Sequence, residues 1–137
     1  MSRCRAELSV KNKYWIPKYR YYELKYFCLQ YPEWRKRYSE ADLLASPSMS
    51  RRVSDTNNIP DIVAKKAIEK GRYANLMKQV EQAAISADSD IYQYIIKGVT
   101  EGMSYTYMEA YLRIPCSKDT YYDRYRKFFW LLDQIHE

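Results

Sequence analysis

Residues 113–134 read RIPCSKDTYYDRYRKFFWLLDQ, a proline-containing turn followed by a run that has neither glycine nor proline. Ser117 stands where a helix N-cap belongs, because its hydroxyl can accept a backbone N–H of the first turn. After it, Tyr121, Tyr125, Phe128, Phe129 and Leu132 fall on one helical face, the spacing of a helix docked on a core. Lys118, Asp119, Tyr122, Asp123 and Arg126 then point outward near the helix start. Arg124 and Lys127 flank them.

Upstream, in residues 103–112 (MSYTYMEAYL), Ser104 is a second cap, Tyr107, Met108, Tyr111 and Leu112 form a short apolar face, and Pro115 is a stop. Before that, SDIYQYIIKGVTEG (89–102) carries an Ile91, Tyr92, Ile95, Ile96, Val99 stripe. Asp88 or Ser89 caps its start, and Gly102 ends it. Residues 88–135 therefore read as three helices, the last two joined by a tight IPCS turn. That is the organisation of a helix-turn-helix unit.

The segment DIVAKKAIEKGRYANLMKQVEQAAISAD (61–88) is the clearest single helix, with Ile62, Ala64 or Lys65, Ile68, Tyr73, Leu76, Met77, Val80 and Ala84 near helical spacing. It is longer than a small core requires, which suggests pairing with a second helix and makes it the natural element of a homodimer. The N-terminal stretch YWIPKYRYYELKYFCLQYPEWRKRYSEADLL (14–44) places Pro17 in a first helical turn. Tyr21, Leu24, Tyr26, Phe27, Cys28 and Tyr31 supply its apolar side, with a break near Pro32 before Trp34 and Tyr38. The fold expected is all-α: an N-terminal helical hairpin, a long central helix and a C-terminal helix-turn-helix. In segments, these are a basic, tyrosine-rich helical part (1–46), a polar loop or linker rich in Ser, Asn and Pro (47–60), and the central helix with the C-terminal unit (61–137). Ser48, Ser50, Arg51 and Arg52 fall in the loop.

Composition agrees. Three glycines in 137 residues are too few for the turns of a many-stranded protein. Sixteen tyrosines explain how 47% apolar residues coexist with a mean hydropathy of -0.67, since each carries an apolar ring and a wet hydroxyl. No run of about 18 apolar residues occurs and residues 1–13 lack a signal-peptide core, so a cytoplasmic, membrane-free protein is expected.

Cysteines 4, 28 and 116 have no CxxC spacing, and the single histidine is His136. A zinc site thus lacks ligands, and the three thiols read as reduced side chains. No metal or cofactor is expected. Nor is a catalytic residue: there is no GxSxG elbow, no phosphate-binding glycine loop and no paired-carboxylate motif, so the chain is not read as an enzyme.

Formal charge is +6, and it is unevenly spread. Residues 1–60 carry twelve Lys/Arg against six Asp/Glu, whereas residues 101–137 carry five against six. Basic side chains interleave with aromatics at Lys18, Arg20 and Lys25, and again at Arg35, Lys36 and Arg37. These suit nucleic-acid phosphates or an acidic partner, though the solvated face of an aromatic-cored helix is the reading the residue types favour. At the last helix, Lys or Arg can address guanine and Asp can accept from cytosine. A mixed-charge solvated face has the same residue types.

Three stretches together, KYRYYELKYFCLQYPEWRKRY (18–38), VEQAAISADSDIYQYIIKGVTEGMSYTYM (80–108) and IPCSKDTYYDRYRKFFWLLDQ (114–134), resemble small proteins of phages and prophages of Gram-positive, clostridia-type bacteria. These are grouped with the RinA and ArpU type late transcriptional regulators. The resemblance implies a C-terminal unit similar to the helix-turn-helix of sigma factor region four, double-stranded DNA as partner, and a bacterial host cell as location. It puts Ser117 at the start of the recognition helix, Lys118, Asp119 and Tyr122 at base-facing positions, and Arg124, Arg126 and Lys127 at backbone-facing ones. The chain departs from the family in charge, because Asp119 and Asp123 stand where members often carry basic residues. A competing expectation arises from the tyrosine load: a phage protein-interaction factor, such as an inhibitor of a host defence or transcription component (anti-CRISPR-like), or a small packaging subunit. Host RNA polymerase or another host protein would then be the partner.

Overall fold

A computed structural model describes residues 10–44 and 59–137. Among these residues all regular structure is helical. The elements are α1 (Lys18–Leu29), α2 (Tyr31–Leu44), α3 (Ile59–Ala87), α4 (Tyr92–Glu101), α5 (Tyr105–Tyr107), which runs into a π-helical turn (Met108–Leu112), and α6 (Lys118–Ile135). The expected polar loop falls mostly outside the described residues, Ser48, Ser50, Arg51 and Arg52 included; its last two positions, Ile59 and Pro60, already belong to α3. By contacts the chain groups into two compact units, Met1–Gln30 with Gln79–Glu137, and Tyr31–Lys78. This grouping reflects spatial contact, whereas the division at residues 46 and 60 reflects composition.

The first unit holds most of the core. From α1 it takes Tyr21, Leu24, Phe27 and Cys28, one face at helical spacing. The end of α3 adds Val80, Ala83, Ala84 and Ala87, α4 adds Ile95 and Val99, and α6 adds Tyr121, Phe128, Phe129 and Leu132. Helix α1 packs on α4 and α6, and α4 packs on α6. The small alanines of α3 let neighbouring side chains approach its backbone closely. Edge-on rings then fill the centre: Tyr21 on Phe129 at 5.0 Å, Tyr125 on Phe129 at 5.0 Å, and Phe128 on Phe129 at 4.9 Å. This is the favoured arrangement for aromatic quadrupoles.

The start of α4 departs from expectation: its N-cap is Ile91, with no side-chain cap, while Asp88, expected as the cap, lies three residues upstream. Asp88 Oδ1 accepts the backbone N–H groups of Asp90 at 2.8 Å and Ile91 at 3.2 Å, ordering the turn into α4. Gly102, at φ 72°, ends α4 in the left-handed region. The interruption after α1 lies at Gln30, two residues before the expected Pro32. The reason is steric: a proline ring inside a continuing helix would meet the carbonyl four residues back. Pro32 instead occupies the second position of α2, where its missing N–H removes no bond.

In the second unit Tyr31, Trp34 and Ala41 of α2 and Tyr73 of α3 are buried. Lys70 bonds Asp42 at 2.6 Å while its ammonium lies 5.5 Å over the Tyr38 ring. Ile62 and Ile68, expected on the inward stripe of the long helix, are exposed.

Candidate nucleic-acid interface

The five-residue connection 113–117 is fixed from both sides. Tyr105, buried at the start of α5, donates its hydroxyl to the Cys116 carbonyl at 2.6 Å. Ser104 caps α5 by accepting the Tyr107 N–H at 3.1 Å. The π-helical turn then ends in Arg113 at φ 54° and ψ 48°, whose N–H bonds the Met108 carbonyl. The next N–H, of Ile114, reaches the same carbonyl at 3.3 Å, and the Ile114 side chain is buried. The extra residue of the π turn rotates the side chains after it out of α-helical register. Tyr105, Met108 and Ile114 face inward, while Tyr107 and Tyr111, expected on the apolar face, are exposed and stack on each other at 4.8 Å.

Ser117 opens α6 as the spacing predicts: its Oγ accepts the Thr120 N–H at 3.2 Å and pairs with the Thr120 hydroxyl at 3.0 Å. Lys118, Asp119 and Thr120 are all exposed. Asp119 adds a negative charge to the first turn, where the helix dipole favours one. One turn further, Tyr121 is buried, and its phenol is pushed above the usual range by burial.

The remaining candidates are placed differently from one another. Tyr122 is half-buried, its ring against Tyr121 at 5.0 Å and Tyr125 at 5.6 Å. Arg124 turns inward: Nε bonds Asp88 Oδ2 at 3.2 Å and Nη1 bonds Asp123 Oδ2 at 2.7 Å. Arg126 donates to the Tyr122 carbonyl at 3.4 Å, and Lys127 is half-buried. No family model, no curated protein and no solved structure matches this chain.

Of the second basic set, Lys18, Arg20 and Lys25 belong to the first unit and Arg35, Lys36 and Arg37 to the second. Lys18 lies 5.7 Å over the Tyr19 ring and Arg35 5.8 Å over Tyr31, while Arg37 pairs with Glu33 at 2.7 Å. Arg20 is committed to the end of α6, donating to Asp133 Oδ1 at 2.6 Å and to the His136 carbonyl at 2.5 Å. Its own pKa is raised chiefly by the Asp133 hydrogen bond.

Other chemistry is thin. Burial pushes the Cys28 and Cys116 thiols up, so neither is poised as a thiolate. Among the described residues no group of three His, Cys, Asp or Glu side chains is placed to hold a metal, and no helix is long and apolar enough to cross a membrane. A groove of about 290 Å³ between the ends of α3 and α6 is lined by Gln82, Ala83, Ile85, Ser86, Leu131, Gln134 and Ile135, without a titratable side chain. Sequence reasoning passed over Arg113, since nothing about an arginine announces a left-handed backbone.

Proposed function

We propose that this chain is a duplex-DNA-binding transcription regulator of the phage or prophage late-gene type, reading the major groove with the first turn of α6. The observation that carries the reading is the exposed, Ser117-capped Lys118–Asp119–Thr120 turn on a helix otherwise held in the core by Tyr121, Phe128, Phe129 and Leu132. Lys118 and Asp119 supply a donor and an acceptor for base edges. Lys127 and Arg126 supply phosphate charge farther along. One short helix reads few base pairs, so two copies on two half-sites are expected. The phage setting rests on the resemblance to the RinA and ArpU type regulators.

The test is fluorescence anisotropy with a duplex from the late-gene promoter of the genome that encodes the chain, against a scrambled duplex, over a salt series, with molar mass from light scattering. Preference for the promoter, persisting at moderate salt and carried by a dimer, supports the reading. Reversing Arg126 and Lys127 to glutamate should weaken binding at least tenfold and flatten the salt dependence. Unchanged affinity in that variant removes this surface from the interface.

A second reading has its own observation. Tyr19 is 76% exposed, Tyr111 73% and Tyr26 64%. Exposed tyrosines are common where proteins meet proteins. A host protein retained at equal stoichiometry from nuclease-treated lysate, together with no promoter preference, would favour an interaction factor.

A further inference from the structure

We infer that Arg113 is a phosphate contact of this DNA-binding surface, an inference that rests on the proposed DNA-binding function and adds a residue to it. Arg113 is the non-glycine residue with positive φ among those described, at φ 54°. Left-handed backbone places Cβ against the following carbonyl and is adopted without strain by glycine. The position is structurally fixed by two neighbouring bonds, because the N–H groups of Arg113 and Ile114 both close on the Met108 carbonyl. A glycine would satisfy that geometry better. The arginine side chain offers the fold nothing in return: it is exposed, and among the described residues no hydrogen bond, ion pair or ring contact engages it.

Its lack of a partner contrasts with the other described arginines in the same unit. Arg20 is held by Asp133, Arg124 by Asp88 and Asp123, and Arg126 by the Tyr122 carbonyl. Arg113 opens the connection and Lys118 is the first residue after it, so two exposed cations bracket the turn leading into the recognition helix. In a helix-turn-helix docked in the major groove, the helix start faces base edges and the flanking segments face the sugar-phosphate backbone. A guanidinium projecting from a rigid turn fits a phosphate bidentately. Strain retained at an exposed, unpaired arginine is thus accounted for by a ligand that the free protein does not contain.

The test uses opposite signs of effect. The full chain and its Arg113→Gly, Arg113→Ala and Arg113→Lys variants are titrated with a labelled duplex of about 30 base pairs, long enough for two half-sites a helical turn apart. Urea unfolding is measured in parallel. Arg113→Gly should unfold at an equal or higher urea concentration, yet bind several-fold more weakly and lose about 0.9 from the slope of log K against log salt. Arg113→Ala should show the same reduction in slope, and Arg113→Lys should keep the wild-type slope. Wild-type slope and affinity in Arg113→Gly, with wild-type protein binding normally, overturn the assignment of Arg113 alone. Absence of salt-dependent duplex binding by the wild type overturns the DNA reading, and this assignment falls with it.

Discussion

Among single residues, the most constrained pair is Gly98 and Tyr121. Tyr121 is 1% exposed, and its hydroxyl is buried with no hydrogen-bond partner. A Cβ added at Gly98 would lie 2.1 Å from that hydroxyl oxygen. The glycine, in the middle of α4, therefore exists to admit the phenol and not to bend the helix. Alanine at 98 gains helix propensity of about 1 kcal/mol, yet overpacking of a filled core costs about 1–3 kcal/mol. Gly98→Ala should thus be destabilising in urea unfolding. Tyr121→Phe removes an unsatisfied buried hydroxyl, whose desolvation costs about 1–3 kcal/mol, and should be neutral or stabilising. The double variant should recover most of the loss caused by Gly98→Ala. Additive effects would show that the phenol does not approach Gly98 as described. Nothing in the sequence singled out this pair: spacing puts Tyr121 on the inward face but does not say which residue its hydroxyl meets.

Among the helices and their connections, most caps were readable, and register was readable in α6 but not around the π turn. Ser104, Ser117 and Gly102 act where local chemistry predicts, since a cap depends on a few neighbouring residues, whereas Asp88 orders the turn before α4 and the helix itself starts uncapped at Ile91. Ser117→Ala should cost about 1 kcal/mol of stability by losing the bond to the Thr120 N–H. The inward face of α6 was likewise legible from the spacing of Tyr121, Phe128, Phe129 and Leu132. The same method misplaced the face of α5 and the π turn, where Tyr105 and Ile114 are buried and Tyr107 and Tyr111 exposed, and nothing in the composition marks a π turn. Arg124 illustrates a different limit. Periodicity put it beside the groove, but its partner Asp88 lies 36 residues away in sequence. That carboxylate serves two elements, ordering the entry to α4 with one oxygen and holding α6 with the other. A double-mutant cycle with Asp88→Asn and Arg124→Gln should give a coupling of about 1 kcal/mol, as expected of a partly exposed pair. Zero coupling would return Arg124 to the pool of phosphate contacts.

Across the whole molecule, the first helix and the last are brought together over more than a hundred residues of chain. The Arg20 guanidinium sits at the end of α6, where backbone carbonyls lack helical partners and the dipole favours a cation. His136 completes the contact, its ring 3.9 Å from the Phe27 ring centroid and its Nδ1 2.9 Å from Gln79 Oε1. Burial lowers the His136 pKa below its ordinary 6.5, the Arg20 charge lowers it further, and Glu23 opposes both. Proton binding sets the sign. Well above pH 6.5 the imidazole is neutral whether the chain is folded or not, and the packing contributes in full. As pH falls from there through the folded-state pKa, the unfolded chain binds the proton more readily and stability declines. Asp and Glu titrate near about 4, so a comparison of urea midpoints at about pH 7.5 and about pH 5.5 isolates this group. The midpoint should drop on acidification, and His136→Asn should remove that dependence. Because His136 is the single histidine, its ring proton is one resonance in an NMR titration. That resonance should titrate below 6.5 in the wild type and move toward 6.5 in Arg20→Gln. A wild-type midpoint at or above 6.5 would mean that the end of α6 is not seated on α1 in this way.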